Sequence, residues 1–327
     1  MSILVSVAVV NWNGDRFIHR CLEHVFAQTH APLEVIIVDN GSTDGSLEKI
    51  KARYGDRCSY IVNTKNIGYS PAMNQAMAAA TGEYVVQLNS DACLHEEFIA
   101  VSLARMQQDD RIGSIGGRVY QWDGDELTHT LRKGEGGRYY FRKRFQLRAD
   151  ESLDHEALSF GPASCFPLLR MRALKDVYES SGHYFDETFF AGWEDTDLWF
   201  RMQLRGWTSI FLPTAYGWHV GSGSAGQNQT FFTKSVPYRT RILRNRLFML
   251  AKNLPASLLL RFAPYLVLTE LAMIPYFMLR SPSSIPSFFS AWSQFLSDRG
   301  SVWEKRRRIQ RGVVVSTDYI RGFFETV

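Results

Sequence analysis

The chain predicts an α/β protein with a Rossmann-like, mostly parallel central sheet flanked by helices, followed by a helical, amphipathic C-terminal extension. Three observations carry that expectation. Apolar, β-branched runs alternate with helical patterns over residues 3–91, the pattern of strands joined by crossover helices. Polar residues stand where those runs end, and ligands of such sheets bind beyond the carboxyl ends of the strands. After Thr233 the chain turns basic and aromatic.

Residues 3–10 read as a buried strand, broken by Asn11-Trp12-Asn13-Gly14. This start lacks a basic region and a small-residue cleavage site, so a signal peptide is not expected. Phe17, Cys21, Leu22, Val25 and Phe26 have helical spacing. A second buried strand over 33–38 ends at Asp39-Asn40-Gly41-Ser42, and Ser42-Thr43-Asp44 can cap a helix through Leu47 and Ile50. A short strand over 60–63, a helix over 72–80 and a strand over 84–88 follow, the last ending at Asn89-Ser90-Asp91. From 116 to 154 glycine and charge clusters predict a flexible loop or hairpin region over the active face. Regular structure is expected again over 158–212.

Residues 238–252 read as a basic helix carrying Arg239, Arg241, Arg244 and Arg246. Residues 254–279 are very apolar, but Arg261 and Glu270 interrupt them and Pro255, Pro264 and Pro275 punctuate them. A clean membrane span needs about 20 apolar residues, so this stretch is marginal. Phe288, Phe289, Trp292, Phe295 and Leu296 form an apolar stripe ahead of the basic run Lys305-Arg306-Arg307-Arg308. Such stripes suit an interfacial helix on an anionic leaflet. The alternative is a helical cap with a solvated basic face. The expected division is a catalytic domain over 1–235, with halves of about 1–115 and 116–235, and an extension over 236–327.

Charge is unevenly spread. From Pro237 onward 14 Lys/Arg stand against 5 Asp/Glu, so a tail of +9 within a chain of +4 leaves −5 for the first 236 residues. That asymmetry favours an anionic membrane surface as a partner for the tail. No nucleic-acid partner is expected, and a homo-oligomer is left open. Cys21, Cys58, Cys93 and Cys165 are widely spaced and make no metal-ligand pattern, as in a reduced compartment.

The most unusual stretch is Trp193-Glu194-Asp195-Thr196-Asp197, three carboxylates inside an apolar run. Such groups are costly to bury unless paired, hydrogen-bonded or bound to a cation. They mark a candidate general base, or else a helix start decorated with acids that suit its dipole. Upstream, Asp39 can accept the N3–H of a uracil or thymine ring, or simply shape a turn. In Asn66-Ile67-Gly68-Tyr69, Gly68 permits close backbone approach, Asn74 can reach a ribose or base, and the helix start favours phosphate. Asn89-Ser90-Asp91 can chelate a hard divalent cation or form a turn. His219 can be a third metal ligand, a phosphate contact, or structural.

In order, Asn11-Trp12-Asn13-Gly14, Asp39-Asn40-Gly41-Ser42-Thr43-Asp44, Asn66-Ile67-Gly68-Tyr69, Leu88-Asn89-Ser90-Asp91, Phe185-Asp186-Glu187, Glu194-Asp195-Thr196-Asp197 and His219 resemble glycosyltransferase family 2. The resemblance covers roughly residues 3–235 and is strongest to bacterial rhamnosyltransferase-type members of surface-polysaccharide pathways. It implies the GT-A fold and a nucleotide-diphosphate sugar donor, dTDP-rhamnose or a UDP-sugar. It implies that Asn11, Asn13, Asp39, Asn66, Gly68, Asn74, Asn89 and Ser90 bind that donor, and that Asp39 contacts its base. Asp195 matches the catalytic base, with Trp193, Glu194 and Asp197 as acceptor or supporting residues. Asp91 and His219 match the holders of Mg²⁺ or Mn²⁺. Asn89 replaces the first acid of the family's Asp-x-Asp, which weakens cation attraction. Gln203-Leu204-Arg205-Gly206-Trp207 places Arg one position early for the processive Gln-x-x-Arg-Trp pattern, which argues for a non-processive enzyme.

With the basic tail, the resemblance implies an inverting transferase in the cytoplasm, peripheral to the inner face of the cell membrane, acting on a lipid-linked saccharide. Arg201 and Arg205 read as structural partners of the acids in preference to diphosphate contacts. Two other classes stay open. A catalytically silent GT-A homologue acting as a binding subunit is favoured only by Asn89. A nucleotidyltransferase would want a glycine-rich, basic N-terminal loop that Asn11-Trp12-Asn13-Gly14 does not supply.

Overall fold

The computed structural model describes residues 2–142, 146–163, 165–221 and 231–324. Four parallel strands form the first half of the central sheet: β1 (Val5–Asn11), β2 (Leu33–Asp39), β3 (Ser59–Val62) and β4 (Tyr84–Asn89). The helices α1 (Ile18–Phe26), α2 (Ser46–Tyr54) and α3 (Tyr69–Ala79) join them. β1 is buried at every position because it lies between β2 and β4, which is why residues 5–10 read as a continuous apolar run. Register places Asn11 opposite Asp39, and Val10 opposite Asn89. The polar strand ends therefore open on one edge.

β5 (Ala92–Leu94), α4 (Phe98–Met106), β6 (Ile112–Trp122), β7 (Leu127–Leu131), a hairpin of β8 (Arg138–Arg142) and β9 (Gln146–Asp150), β10 (Ala157–Ser159) and β11 (Leu168–Arg170) follow. Then come α5 (Met171–Ser181), α6 (Glu194–Leu204) and β12 (Thr208–His219). The main sheet runs β10-β12-β6-β11-β4-β1-β2-β3, with β11 antiparallel to both β4 and β6. The segment expected to be a loose loop from 116 is corrected in part. Residues 116–122 belong to β6 in the middle of the sheet, whereas 138–142 and 146–150 pair antiparallel, as expected of a hairpin. The glycines misled because they serve packing: a Cβ on Gly117 would lie 1.8 Å from the Ala215 carbonyl oxygen. Lys143 and Arg144, and Ser222-Gly223-Ser224 after His219, lie outside the described residues.

The C-terminal helices are α7 (Val236–Asn253), α8 (Ala256–Arg280), α9 (Ile285–Ser297), α10 (Arg299–Arg311) and α11 (Thr317–Arg321). Pro264 and Pro275 punctuate this apolar stretch in sequence, and α8 runs through both for its 25 residues. A proline removes one donor to the preceding turn, and on a largely exposed helix the undonated carbonyl can take water. Among the described residues α8 is the one helix long and apolar enough to cross a membrane by length and composition. Leu260, Leu268 and Leu279 are 76, 62 and 89% exposed.

The basic helix needs a second correction. In α7, Arg239 donates to the carbonyls of Phe232 and Ser283, Arg246 pairs with Glu270, and Lys252 is fully buried. Much of its charge is used inside the protein and is not a solvated face. Arg307, Arg308 and Arg311 on α10 do stay exposed.

Candidate functional site

At the strand ends the first cluster is built from neutral donors. The buried Asn11 amide donates to Asp39 Oδ1 at 2.9 Å, Ser42 Oγ at 3.2 Å and Ser46 Oγ at 2.9 Å. The backbone N–H of Ser42 donates to Asp39 Oδ2 at 3.0 Å. Asp39 is thus held in its own turn, and each carboxylate oxygen retains capacity to accept a further bond. Asn13, at φ 50°, accepts from the Thr43 N–H at 2.8 Å. The expected cap of α2 shifts accordingly: Ser42 serves Asn11 and Asn13, while Asp44 accepts from the Ser46 N–H.

Asn40, which the sequence reading passed over, organises the next loop. Its amide donates to Asn66 Oδ1 and to the Gly68 carbonyl, both at 3.1 Å, and its oxygen accepts from the Ile67 N–H. Gly68 has φ 101°, and a Cβ there would meet Phe190 at 2.6 Å. The close approach it permits is to the Phe190 loop. The first N–H groups of α3, on Tyr69 and Ser70, donate to the Phe190 carbonyl, so the expected phosphate position is occupied by protein. Asn74 makes its bonds within the protein. Its amide donates to the Phe185 carbonyl and Glu187, and its oxygen accepts from the Phe185 N–H. It ties α3 to the loop before α6.

Asp91 and His219 are brought together from 128 residues apart, with Asp91 Oδ1 3.2 Å from His219 Nε2. The register of β12 against β5 places His219 opposite Ala92. Glu135, unnoticed in the sequence, lies 2.7 Å from His219 Nδ1 and 3.0 Å from Arg132 Nε. Burial alone would lower the imidazole pKa, but the carboxylates of Asp91 and Glu135 outweigh it and raise it to about 10. Ligand atoms of Glu135, Cys165 and His219 lie within 4.8 Å of one another. Burial, reinforced by Glu135 and Asp91, pushes the Cys165 thiol up, so it stays protonated. With the imidazole neutral, the Asp91 and Glu135 carboxylates and a His219 nitrogen are ligand types that Mg²⁺ or Mn²⁺ accepts, so binding of such an ion would displace the ring proton. Ser90 lies beside Gly14, whose Cβ would stand 3.5 Å from Ser90 Oγ.

The acid helix α6 begins after a turn with Phe190, Gly192 and Trp193 at φ 62°, 90° and 73°. Asn245 of α7 braces that turn, donating to the carbonyls of Phe189 (2.9 Å), Ala191 (3.3 Å) and Gly192 (2.8 Å). The three acids that follow have different fates. Asp197 is fully buried, 2.9 Å from both Lys252 Nζ and Arg201 Nε, and accepts from Asn253. Glu194 is buried, and that burial, followed by repulsion from Asp195, raises its pKa to about 8. Asp195 alone of the three is only half-buried. Its Oδ1 accepts from Gln87 at 2.8 Å. Gln87 also donates to the Tyr69 hydroxyl, which donates to Asn89 Oδ1. A chain of bonds thus runs from Asp195 to the Asn89 turn. Gln87 was missed, although a fully buried amide in an otherwise apolar strand is itself a signal. Arg201 serves Asp197 and the His183 and Tyr184 carbonyls, and Arg205 pairs with Asp176.

A family model described as "Glycosyl transferase family 2" matches residues 6–176, more than half of the chain. Glycosyltransferase GlyG of Streptococcus pneumoniae is 28% identical over 57% of this chain and 63% of its own length. The chain therefore spans less than two thirds of that relative. The N-acetylglucosaminyl-diphospho-decaprenol L-rhamnosyltransferase of Mycobacterium tuberculosis is 27% identical over 70% of this chain and 80% of its own. Among solved structures, GalNAc-T7 with UDP, GalNAc and Mn²⁺ superposes with a TM-score of 0.59 at 15% identity, over 77% of this chain and 48% of that one. That likeness is one of fold: a GT-A-like curled sheet flanked by helices.

Proposed function

The chain belongs to glycosyl transferase family 2, and on that footing we propose that it transfers a sugar, with inversion and without processivity, from a nucleoside-diphosphate sugar to a lipid-linked saccharide of bacterial surface polysaccharide. The observation that carries this reading is the division of labour in α6: Asp197 is neutralised, Glu194 is held protonated, and Asp195 stays half-exposed and accepts from Gln87. Gln87 orients the Asp195 carboxylate through Oδ1. Asp195 takes the proton of the acceptor hydroxyl as that oxygen attacks the anomeric carbon, and the nucleoside diphosphate leaves from the opposite side. Near neutral pH a protonated Glu194 adds no second negative charge beside the base.

Asp39 and Asn13 face the nucleoside, with Asn11 and Asn66 fixing their loops. The uracil or thymine preference rests on family resemblance. Asp91, His219 and Glu135 would hold Mg²⁺ or Mn²⁺, with Asn89 and Ser90 at the rim. When bound, such an ion neutralises charge on the diphosphate. The Mn²⁺ in GalNAc-T7 and the diphospho-decaprenol acceptor named for the mycobacterial relative agree with these assignments. The exposed apolar face of α8 and the arginines of α10 suit a peripheral seat on the cytoplasmic leaflet.

The test is Asp195→Asn, assayed with a panel of nucleotide sugars by release of nucleoside diphosphate. Turnover should vanish while nucleotide-sugar affinity holds within about threefold, the behaviour of a group needed in the transition state only. Turnover near that of the unaltered protein would remove Asp195 from its role.

A further inference from the structure

A cavity of about 720 Å³ lies between α6 and α8, within the size range of pockets that bury small ligands. Trp193 and Thr196, which bracket Glu194-Asp195, form its near wall. Its far wall is one face of α8, with Thr269, Ala272, Met273 and Tyr276 at helical spacing. Arg148 of β9 and Arg246 of α7 also line it, together with apolar side chains such as Phe231 and Phe232. None of the strand-end groups, Asn11, Asp39, Asn66, Asp91 or His219, lines it. The cavity is therefore separate from the candidate donor cluster.

Its lining combines three chemistries: the helix of the proposed base, two guanidinium groups and the apolar α8. Arg246 is 9% exposed and held by Glu270 at 2.5 Å, and the outer face of α8 is exposed. The step from Thr269 to Tyr276 covers roughly 10 Å of helix, enough for a diphosphate and the start of a hydrocarbon chain. A guanidinium pair is a strong site for phosphate oxygens. An occupant satisfying all three regions is amphiphilic, with a sugar beside Trp193 and Thr196, an anion at the arginines and a hydrocarbon on α8.

We propose that this cavity seats the membrane-proximal end of the acceptor, with the diphosphate that joins saccharide to isoprenoid against Arg148 and Arg246. The first isoprene units then run over Ala272, Met273 and Tyr276. The inference rests on the transferase reading above and adds where the acceptor enters and which part of it is recognised.

The test uses the full chain and farnesyl diphosphate as probe, with farnesol and inorganic diphosphate as controls, by equilibrium binding. Farnesyl diphosphate should bind more tightly than either control. Ala272→Trp, on an exposed helical position, should weaken it by about tenfold or more by filling the cavity. Arg148→Gln, also exposed, should weaken it by about fivefold through loss of one charge-assisted contact. Both variants should keep their nucleotide-sugar affinity. Equal binding of farnesol and farnesyl diphosphate would overturn the diphosphate assignment. Unchanged binding in both variants would overturn the cavity. Loss of phosphatidylglycerol-vesicle binding alone in Ala272→Trp would make this face a bilayer contact and likewise overturn it. Failure of the transferase reading looks different: the unaltered protein would bind farnesyl diphosphate but release no nucleoside diphosphate from any sugar donor.

Discussion

At the strand ends, Asn11, Asp39 and Asn40 are held by amides, hydroxyls and backbone N–H groups drawn from residues 11–68. The acid helix is held by charge from far along the chain. Lys252 reaches Asp186 and Asp197, Lys305 reaches Asp186 at 2.6 Å, and Asn245 and Asn253 supply amides. The first region can be assembled from adjacent crossover units. The second requires α7 and α10 to be docked before its carboxylates are tolerable, because an unpaired buried charge costs several kcal/mol. The C-terminal helices thus do structural work at the proposed base, whatever else they touch.

The sharpest way to break that contrast is Lys252→Met. It strips a fully buried cation from between two carboxylates and should cost about 3–5 kcal/mol in urea unfolding. A loss below about 1 kcal/mol would mean that Arg201 and Lys305 suffice without it.

The next effect is a pH dependence. Glu194 has its folded pKa raised from 4.5 to about 8 by burial and by Asp195. The stability tied to its protonated form is complete below about pH 4.5 and is lost progressively as pH rises through about 8. Glu194→Gln should flatten this loss, a few kcal/mol, in melting curves taken across that window. Parallel curves for the two proteins would contradict it.

Asn245→Ala should cost about 2 kcal/mol by leaving three turn carbonyls without their donor. It should lower kcat more than it raises the KM for the donor, since the turn aims Asp195. An unchanged kcat would show that the strained turn holds itself. The smallest effect is expected in the neutral region. Asn13→Ala, at an exposed position, should cost about 0.5–1 kcal/mol in stability while raising the donor KM. A stability loss as large as that of Lys252→Met would erase the distinction between the two regions.

Much of the first half was legible because its signals are local. The alternation of apolar runs with helical spacing gave β1 to β4 and α1 to α3 to within a few residues, and strand-end asparagines and aspartates are turn formers by their own chemistry. Gly116 and Gly117 misread as loop because their smallness answers to Pro162 and Ala215 across a packed sheet, and no neighbouring residue reports that. Pro264 and Pro275 left the continuity of α8 unstated, because its exposure decides what a missing N–H costs. Gln87 could have been noticed as a lone amide in an apolar strand. Glu135 carried no such mark, since its segment was glycine-rich and charged throughout.

The sequence by itself determined the α/β alternation, the polar strand ends and the presence of an acid cluster, because periodicity, β-branching and turn chemistry act over a few residues. Tertiary structure decided which acid stays half-exposed. The residues Glu194, Asp195 and Asp197 are near-equivalent on paper, and their difference arises from Lys252, Arg201, Asn253 and Gln87. Ionisation and hydrogen bonding depend on distance and burial in space, and three of those four partners are brought to the cluster by packing of elements that the sequence places far from it.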